Sequence, residues 1–174
     1  MEDKVMNHIV LYEPEIPQNT GNIMRTAVAM NMKLHLIEPM GFRLDEKSIA
    51  RSSVGYEDRM NYEVHDTFED FMDGRSGRFV FLSRYGDKAP ASVDMRETDE
   101  DLYLIFGSES SGIPKEILRQ YRTDVFRVPM HSSMRSLNLA NTVAIVAYEA
   151  MRQQDFKGLS GEEVQKGADF LDRD

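Results

Sequence analysis

Apolar and polar positions alternate along the chain in one repeating order: a short apolar run, a polar turn, a stretch with helical spacing, then the next run. His8-Ile-Val-Leu-Tyr12 predicts a buried strand, and Leu34–Ile37, Phe79–Leu82, Leu102–Phe106 and Val125–Val128 predict four more. The intervening spacing predicts helices over Asn22–Met32, capped by Thr20 or Asn22, and over Asp45–Arg51. Two more are predicted over Thr67–Met72, capped by Asp66, and from Pro114 to about Tyr121. The last helix, Leu137–Met151, follows Pro129 and a polar loop from His131 to Arg135, with Ser136 and Asn138 at its start. It is apolar almost all round, so it must be covered on more than one side; a core helix is the better reading of it alone, and it could hold a partner.

Strand and helix in repeated alternation define an α/β domain with a Rossmann-like, largely parallel sheet. Such sheets bind ligands beyond the carboxyl ends of their strands, where the loops starting at Glu13, Ser83, Gly107 and Pro129 sit. Asp94–Asp101 reads as an exposed acidic loop. Residues 1–157 read as one domain. Residues 158–174 form an acidic tail, in which Ser160-Gly-Glu-Glu163 matches a capping box and predicts a short helix.

Composition narrows the class. The 174 residues are 41% apolar and 29% charged, ordinary for a soluble globular domain. Cysteine is absent, which excludes disulfides, cysteine zinc sites and a thiol nucleophile, and fits a reducing, cytoplasmic setting. No apolar run is long enough to span a membrane, and the first residues do not form a signal peptide. The net charge of −9 means that any nucleic-acid partner must meet a local basic surface.

Three stretches carry candidate chemistry. In Pro17-Gln-Asn-Thr-Gly-Asn-Ile-Met-Arg25, a turn feeds a helix whose free N–H groups can hold an anion, with Arg25 one turn in. An ordinary capped helix explains the same residues. In Phe106-Gly-Ser-Glu-Ser-Ser-Gly-Ile-Pro114, two glycines bracket small polar residues after a strand. This is neither a Walker loop nor a dinucleotide fingerprint, and a plain strand-to-helix turn accounts for its glycines equally well. Glu109 can accept hydrogen bonds from nearby N–H groups or contact a substrate. The third stretch is the loop before the last helix. Of the four histidines, His8, His35 and His65 have no metal spacing and read as structural, while His131 lies in the candidate loop.

Together, Asn19-Thr-Gly-Asn-Ile-Met-Arg25, Phe106-Gly-Ser-Glu-x-x-Gly-Ile-Pro114, and Val128-Pro-Met130 with Arg135-Ser-Leu-Asn-Leu-Ala-Asn-Thr-Val-Ala-Ile145 resemble the three motifs of the SpoU–TrmD (SPOUT) RNA methyltransferases. The opening Ile9-Val-Leu-Tyr-Glu-Pro-Glu-Ile-Pro17 and the Ile37-Glu-Pro-Met-Gly-Phe42 turn resemble the TrmL group, small tRNA wobble-nucleotide 2′-O-methyltransferases. The resemblance covers residues 7 to 153. It implies S-adenosylmethionine as methyl donor, S-adenosylhomocysteine as product, no metal, and a carboxyl-terminal trefoil knot. It implies cofactor contacts at Leu82, Gly107, Val128 and Ser136, with Met130, Leu137 and Asn138 close by. It further implies a tRNA anticodon loop as substrate, met by Asn19, Asn22, Arg25, Glu109 and Arg135, and a homodimer through Leu137–Met151. Ser111 stands where some relatives carry an arginine, and the tail after about Gly158 falls outside the resemblance.

Arg25 is the implied catalytic residue. A guanidinium is normally protonated and a poor base. It acts either as a base with a strongly depressed pKa or as a charge that holds phosphate and acidifies the ribose hydroxyl. A ribosomal RNA target, a non-catalytic RNA-binding protein and another nucleotide-binding α/β protein are the competing readings. The absence of an appended RNA-binding domain favours a compact target.

Overall fold

The protein is described from a computed structural model that covers residues 6–45 and 59–173. The six strands among these residues are β1 (Asn7–Tyr12), β2 (Lys33–Ile37), β3 (Tyr62–His65), β4 (Arg78–Leu82), β5 (Leu102–Phe106) and β6 (Val125–Phe126). The α-helices among the described residues are α1 (Pro17–Ala29), α2 (Phe68–Met72), α3 (Lys115–Gln120) and α4 (Leu139–Gln153). The strands form one sheet in the order β3-β2-β1-β5-β4-β6, and every pairing is parallel.

The near-continuous apolar strands follow from burial on both faces. Alternate residues of each strand point to opposite sides. Ile9, Leu11, Leu34, Leu36, Leu104 and Phe106 meet Ile23 and Met24 of α1 and Val143, Val146, Ala147 and Ala150 of α4. Val10, Ile37, Phe81, Tyr103 and Ile105 meet Phe68 and Phe71 of α2 and Leu118 of α3. The result is a three-layer α/β/α domain.

Several boundaries differ from the sequence expectation. Strand β3 was not anticipated, because Tyr-Glu-Val-His is short, half polar and at the sheet edge. Helix α1 starts at Pro17 rather than Asn22, so Asn19 and Thr20 lie inside it, and Ile16 occupies the cap position. Helix α4 starts at Leu139, since Asn138 is its cap and accepts from the Asn141 N–H at 3.2 Å. Leu137 and Ser136 therefore belong to the preceding loop, and β6 ends at Phe126 rather than Val128.

The acidic loop is exposed except for Asp101, which is half-buried, and Met95, which is fully buried and anchors it over the end of α4. There the Gln153 Oε1 accepts from the Met95 N–H at 2.8 Å, and the Gln154 Nε2 donates to the Met95 carbonyl at 2.8 Å. Among the described residues the tail carries a short 3-10 helix, Phe170–Asp172, and no helix at the expected start Ser160–Glu163. The Glu163 carboxylate accepts from the N–H groups of Gln165 and Gly167, making a local turn of the residues expected to cap a helix. The helix expected over Asp45–Arg51 lies, beyond Asp45, outside the described residues.

Candidate cofactor and RNA site

The carboxyl ends of β4, β5 and β6 open onto a cleft of about 440 Å³. That volume lies within the range of small-molecule sites. Leu82 contributes from the end of β4, Gly107 from the β5 loop, and Val128, Met130, Ser136, Leu137 and Asn138 from the loop before α4. All seven residues expected to hold the cofactor thus line one cavity. Of the two reasons weighed for the glycine at 107, the turn is the one that the backbone geometry carries. A Cβ there would stand 2.3 Å from the Gly112 carbonyl carbon and 2.4 Å from the Ile113 nitrogen. Gly107 is required by the loop folding back on itself. Gly112, at φ +70°, supplies the left-handed turn that closes the loop.

Glu109 joins the three motifs. Its carboxylate accepts from the N–H groups of Glu15 at 2.8 Å and Ile16 at 3.0 Å, and from the Asn19 side-chain amide at 3.1 Å. The cap residue of α1, Ile16, has no side-chain cap bond, and this carboxylate takes up its N–H from the loop after the neighbouring strand β5. Glu109 thus stands beside the expected anion site, bonded to the backbone just before α1 rather than to the N–H groups of its first turn. Glu15 returns the contact, accepting from the Ser110 N–H at 3.0 Å and hydroxyl at 2.6 Å. Asn19 in turn accepts from the Asn138 amide at 3.0 Å. A chain Glu109–Asn19–Asn138 thereby fixes the residue that caps α4 at the cleft floor.

Of the residues expected to meet RNA, Asn19, Glu109 and Arg135 lie on the cleft. Asn19 is buried and spent on the internal chain, and Glu109 is spent on α1. Asn22 and Arg25 are not part of the cleft lining. They lie on the exposed stripe of α1 formed by Gln18, Asn22, Arg25 and Ala29.

Residues 6–148 match the SpoU rRNA Methylase family. The chain belongs to this family. Among relatives, a Bacillus subtilis (strain 168) protein provisionally named tRNA (cytidine(34)-2′-O)-methyltransferase is 44% identical over 153 residues, 87% of this chain and 96% of that protein. A solved structure concerned with the 2-OH methylation of C/U34 on tRNA is 40% identical, with a TM-score of 0.77, covering 86% of this chain and 96% of the other. The SpoU methyltransferase AviRb from Streptomyces viridochromogenes, solved in complex with AdoMet, is 26% identical, with a TM-score of 0.73, covering 91% of this chain and 60% of the other.

This SpoU-family chain carries features that motif reading missed. Arg84, Tyr85 and Arg127 join the cleft rim, because the chain turns there after β4 and β6. Away from the cleft, His8, His35 and His65 form a ladder across three adjacent strands. His8 Nδ1 is 2.9 Å from His35 Nε2, and His35 Nδ1 is 2.9 Å from His65 Nε2. Strand pairing, not sequence spacing, brings them together. At the inner end His8 Nε2 lies 3.4 Å from Asp101. A carboxylate only accepts, so it selects the polarity in which each ring donates toward Asp101. Burial drives the His35 ring down to about 2 and lowers His8 and His65 too, so the ladder is uncharged at neutral pH. His35, His65 and Glu63 also lie close enough together to hold a metal ion. Glu63, however, is bonded to Lys33 at 2.5 Å and to Arg75 at 3.1 Å, and these two cations already balance it.

Proposed function

We propose that this chain methylates the ribose 2′-hydroxyl of the tRNA wobble nucleotide, cytidine or modified uridine, with S-adenosylmethionine as donor. The observation that carries the reading is the convergence of all seven expected cofactor residues on one cleft, in a chain whose relatives at 40–44% identity are named for, or concerned with, methylation at position 34. The family's description names ribosomal RNA, which makes an rRNA target the second reading. The nearer relatives favour tRNA.

The residues present fit the donor. Leu82, Val128 and Leu137 offer apolar walls, while Ser136 and the backbone beside Gly107 and Met130 offer polar groups. When bound, S-adenosylmethionine supplies an electrophilic methyl group on a sulfonium. The protein's part is to orient the ribose hydroxyl and to ease loss of its proton. Arg135, on the cleft, holds a phosphate of the strand. Arg25 is assigned the hydroxyl, by charge or as a base. Because it lies off the cleft of its own chain, Arg25 of the partner subunit serves the site.

This arrangement requires a homodimer. Ile145 and Tyr148 of α4 are about half exposed, and Tyr148 packs against Phe156 at 5.3 Å between ring centroids, leaving an apolar stripe for a second copy. A trefoil knot is supported by the way the segment from β4 to β5 lies over the end of α4, with Met95 and Val93 bonded to Gln153 and Gln154. A tRNA substrate implies a cytoplasmic site of action. No helix among the described residues is long and apolar enough to cross a membrane. The test is transfer of labelled methyl from S-adenosylmethionine, with EDTA present, to unmodified tRNA and to rRNA. Label in tRNA at the first anticodon position supports the reading, and label in rRNA alone overturns it.

A further inference from the structure

Tyr85 is 75% exposed, the most exposed aromatic ring among the described residues, and it stands on the cleft rim. Its turn is nonetheless tightly built. The Ser83 N–H donates to the Phe126 carbonyl at 2.9 Å, the Tyr85 N–H to the Ser83 hydroxyl at 3.2 Å, and the Arg127 N–H to the Lys88 carbonyl at 2.8 Å. Gly86 lies so close to β6 that a Cβ would stand 2.4 Å from the Phe126 carbonyl carbon. Arg127 also donates from its guanidinium to the Arg84 carbonyl at 3.2 Å. A fixed backbone thus presents an aromatic ring to solvent, so little order has to be gained when the ring is covered.

The surroundings identify the cover. The Arg84 guanidinium sits 5.4 Å from the ring centroid, and Arg84, Arg127 and Arg135 line the same cleft. The one carboxylate on that lining, Glu109, is turned to the start of α1. In a chain of net charge −9, this is a concentrated basic rim around an unused aromatic face. Exposed aromatic rings beside arginines are the chemistry that holds unstacked nucleobases of single-stranded RNA. The apolar stripe suited to a protein partner lies elsewhere, on α4 at Ile145 and Tyr148.

We propose that Tyr85, backed by Arg84, is the stacking platform for a nucleobase of the RNA strand whose ribose enters the cleft. The inference rests on the RNA-methylating reading above and names the residue that grips the substrate. The test uses the full chain, S-adenosylhomocysteine and an anticodon stem-loop with a wobble cytidine. The chain has no tryptophan, so Tyr85→Trp installs a single tryptophan at the platform, excited apart from the tyrosines. Its emission should be quenched by the stem-loop and left unchanged by S-adenosylhomocysteine alone. Tyr85→Ala should raise KM for the stem-loop roughly 5- to 100-fold, with the effect on KM rather than kcat, and Tyr85→Phe should restore it. Affinity for S-adenosylhomocysteine should not change. Quenching by S-adenosylhomocysteine alone would assign the ring to the cofactor's adenine and overturn the proposal, as would a wild-type KM in Tyr85→Ala. A wild-type protein that transfers no methyl group defeats the enzymatic reading instead, and the fluorescence titration still decides the platform.

Discussion

Replacing His35 with glutamine tests the histidine ladder by its proton linkage. The His35 side chain is 1% exposed, and its ring is held down to about 2 against an ordinary 6.5. The unfolded chain therefore takes up the proton first. Stability is intact above about pH 6.5 and is lost as pH falls toward the folded value. At ~1.4 kcal/mol per pH unit below 6.5, His35 alone removes about 2.7 kcal/mol between about pH 7.5 and about pH 4.5. His8 and His65 are lowered as well and act in the same sense. Glu63, held below its ordinary 4.5 by its bond to Lys33, loses stability only at lower pH, which leaves this window to the histidines. Glutamine keeps a donor for His8 and an acceptor for His65 and does not titrate. Urea unfolding at fixed protein concentration should show wild type losing about 2.7 kcal/mol more than His35→Gln across the window. Equal losses would refute the reasoning, since His35 would then bind its proton in the folded state.

Four further outcomes follow from the structure. Glu109→Gln should cost about 1.5–3 kcal/mol in urea unfolding, because a charged acceptor for the start of α1 is lost; an unchanged midpoint would remove Glu109 from its capping role. Ile145→Asp should give a folded monomer by light scattering and circular dichroism. A charge at Val143, which is fully buried in the chain's own core, should unfold the chain rather than split a dimer. Arg25→Ala, and equally Arg25→Lys, should abolish methyl transfer to tRNA while calorimetry shows cofactor affinity unchanged, since a point charge does not replace a planar fork of donors; near-normal turnover at saturating tRNA would make Arg25 a solvated helix residue.

The sequence made the sheet and the cleft legible because both depend on local signals. Continuous apolar runs mark strands buried on two faces, and loops at strand ends mark the ligand side. The cleft residues from Leu82 to Asn138 came together because their motifs sit on those loops. What stayed hidden depends on contacts distant in sequence. The start of α1 was misplaced because its cap, Glu109, lies more than ninety residues downstream. The histidines looked scattered because only strand pairing sets His8, His35 and His65 on neighbouring strands, each two residues along from the next. Ser160 and Glu163 matched a helix start, but no apolar face follows them to be buried, and their side chains closed turns instead. Arg84 and Tyr85 had no motif of their own and acquired a place only when the chain turned after β4.

The most direct test of the central claim is mass spectrometry of tRNA from cells with and without this protein, mapped to the first anticodon position. The account predicts a 2′-O-methylated wobble cytidine or uridine that disappears without the protein and returns with the wild-type chain but not with Arg25→Ala. An unchanged wobble nucleotide, with a methyl group lost instead from ribosomal RNA, would contradict it.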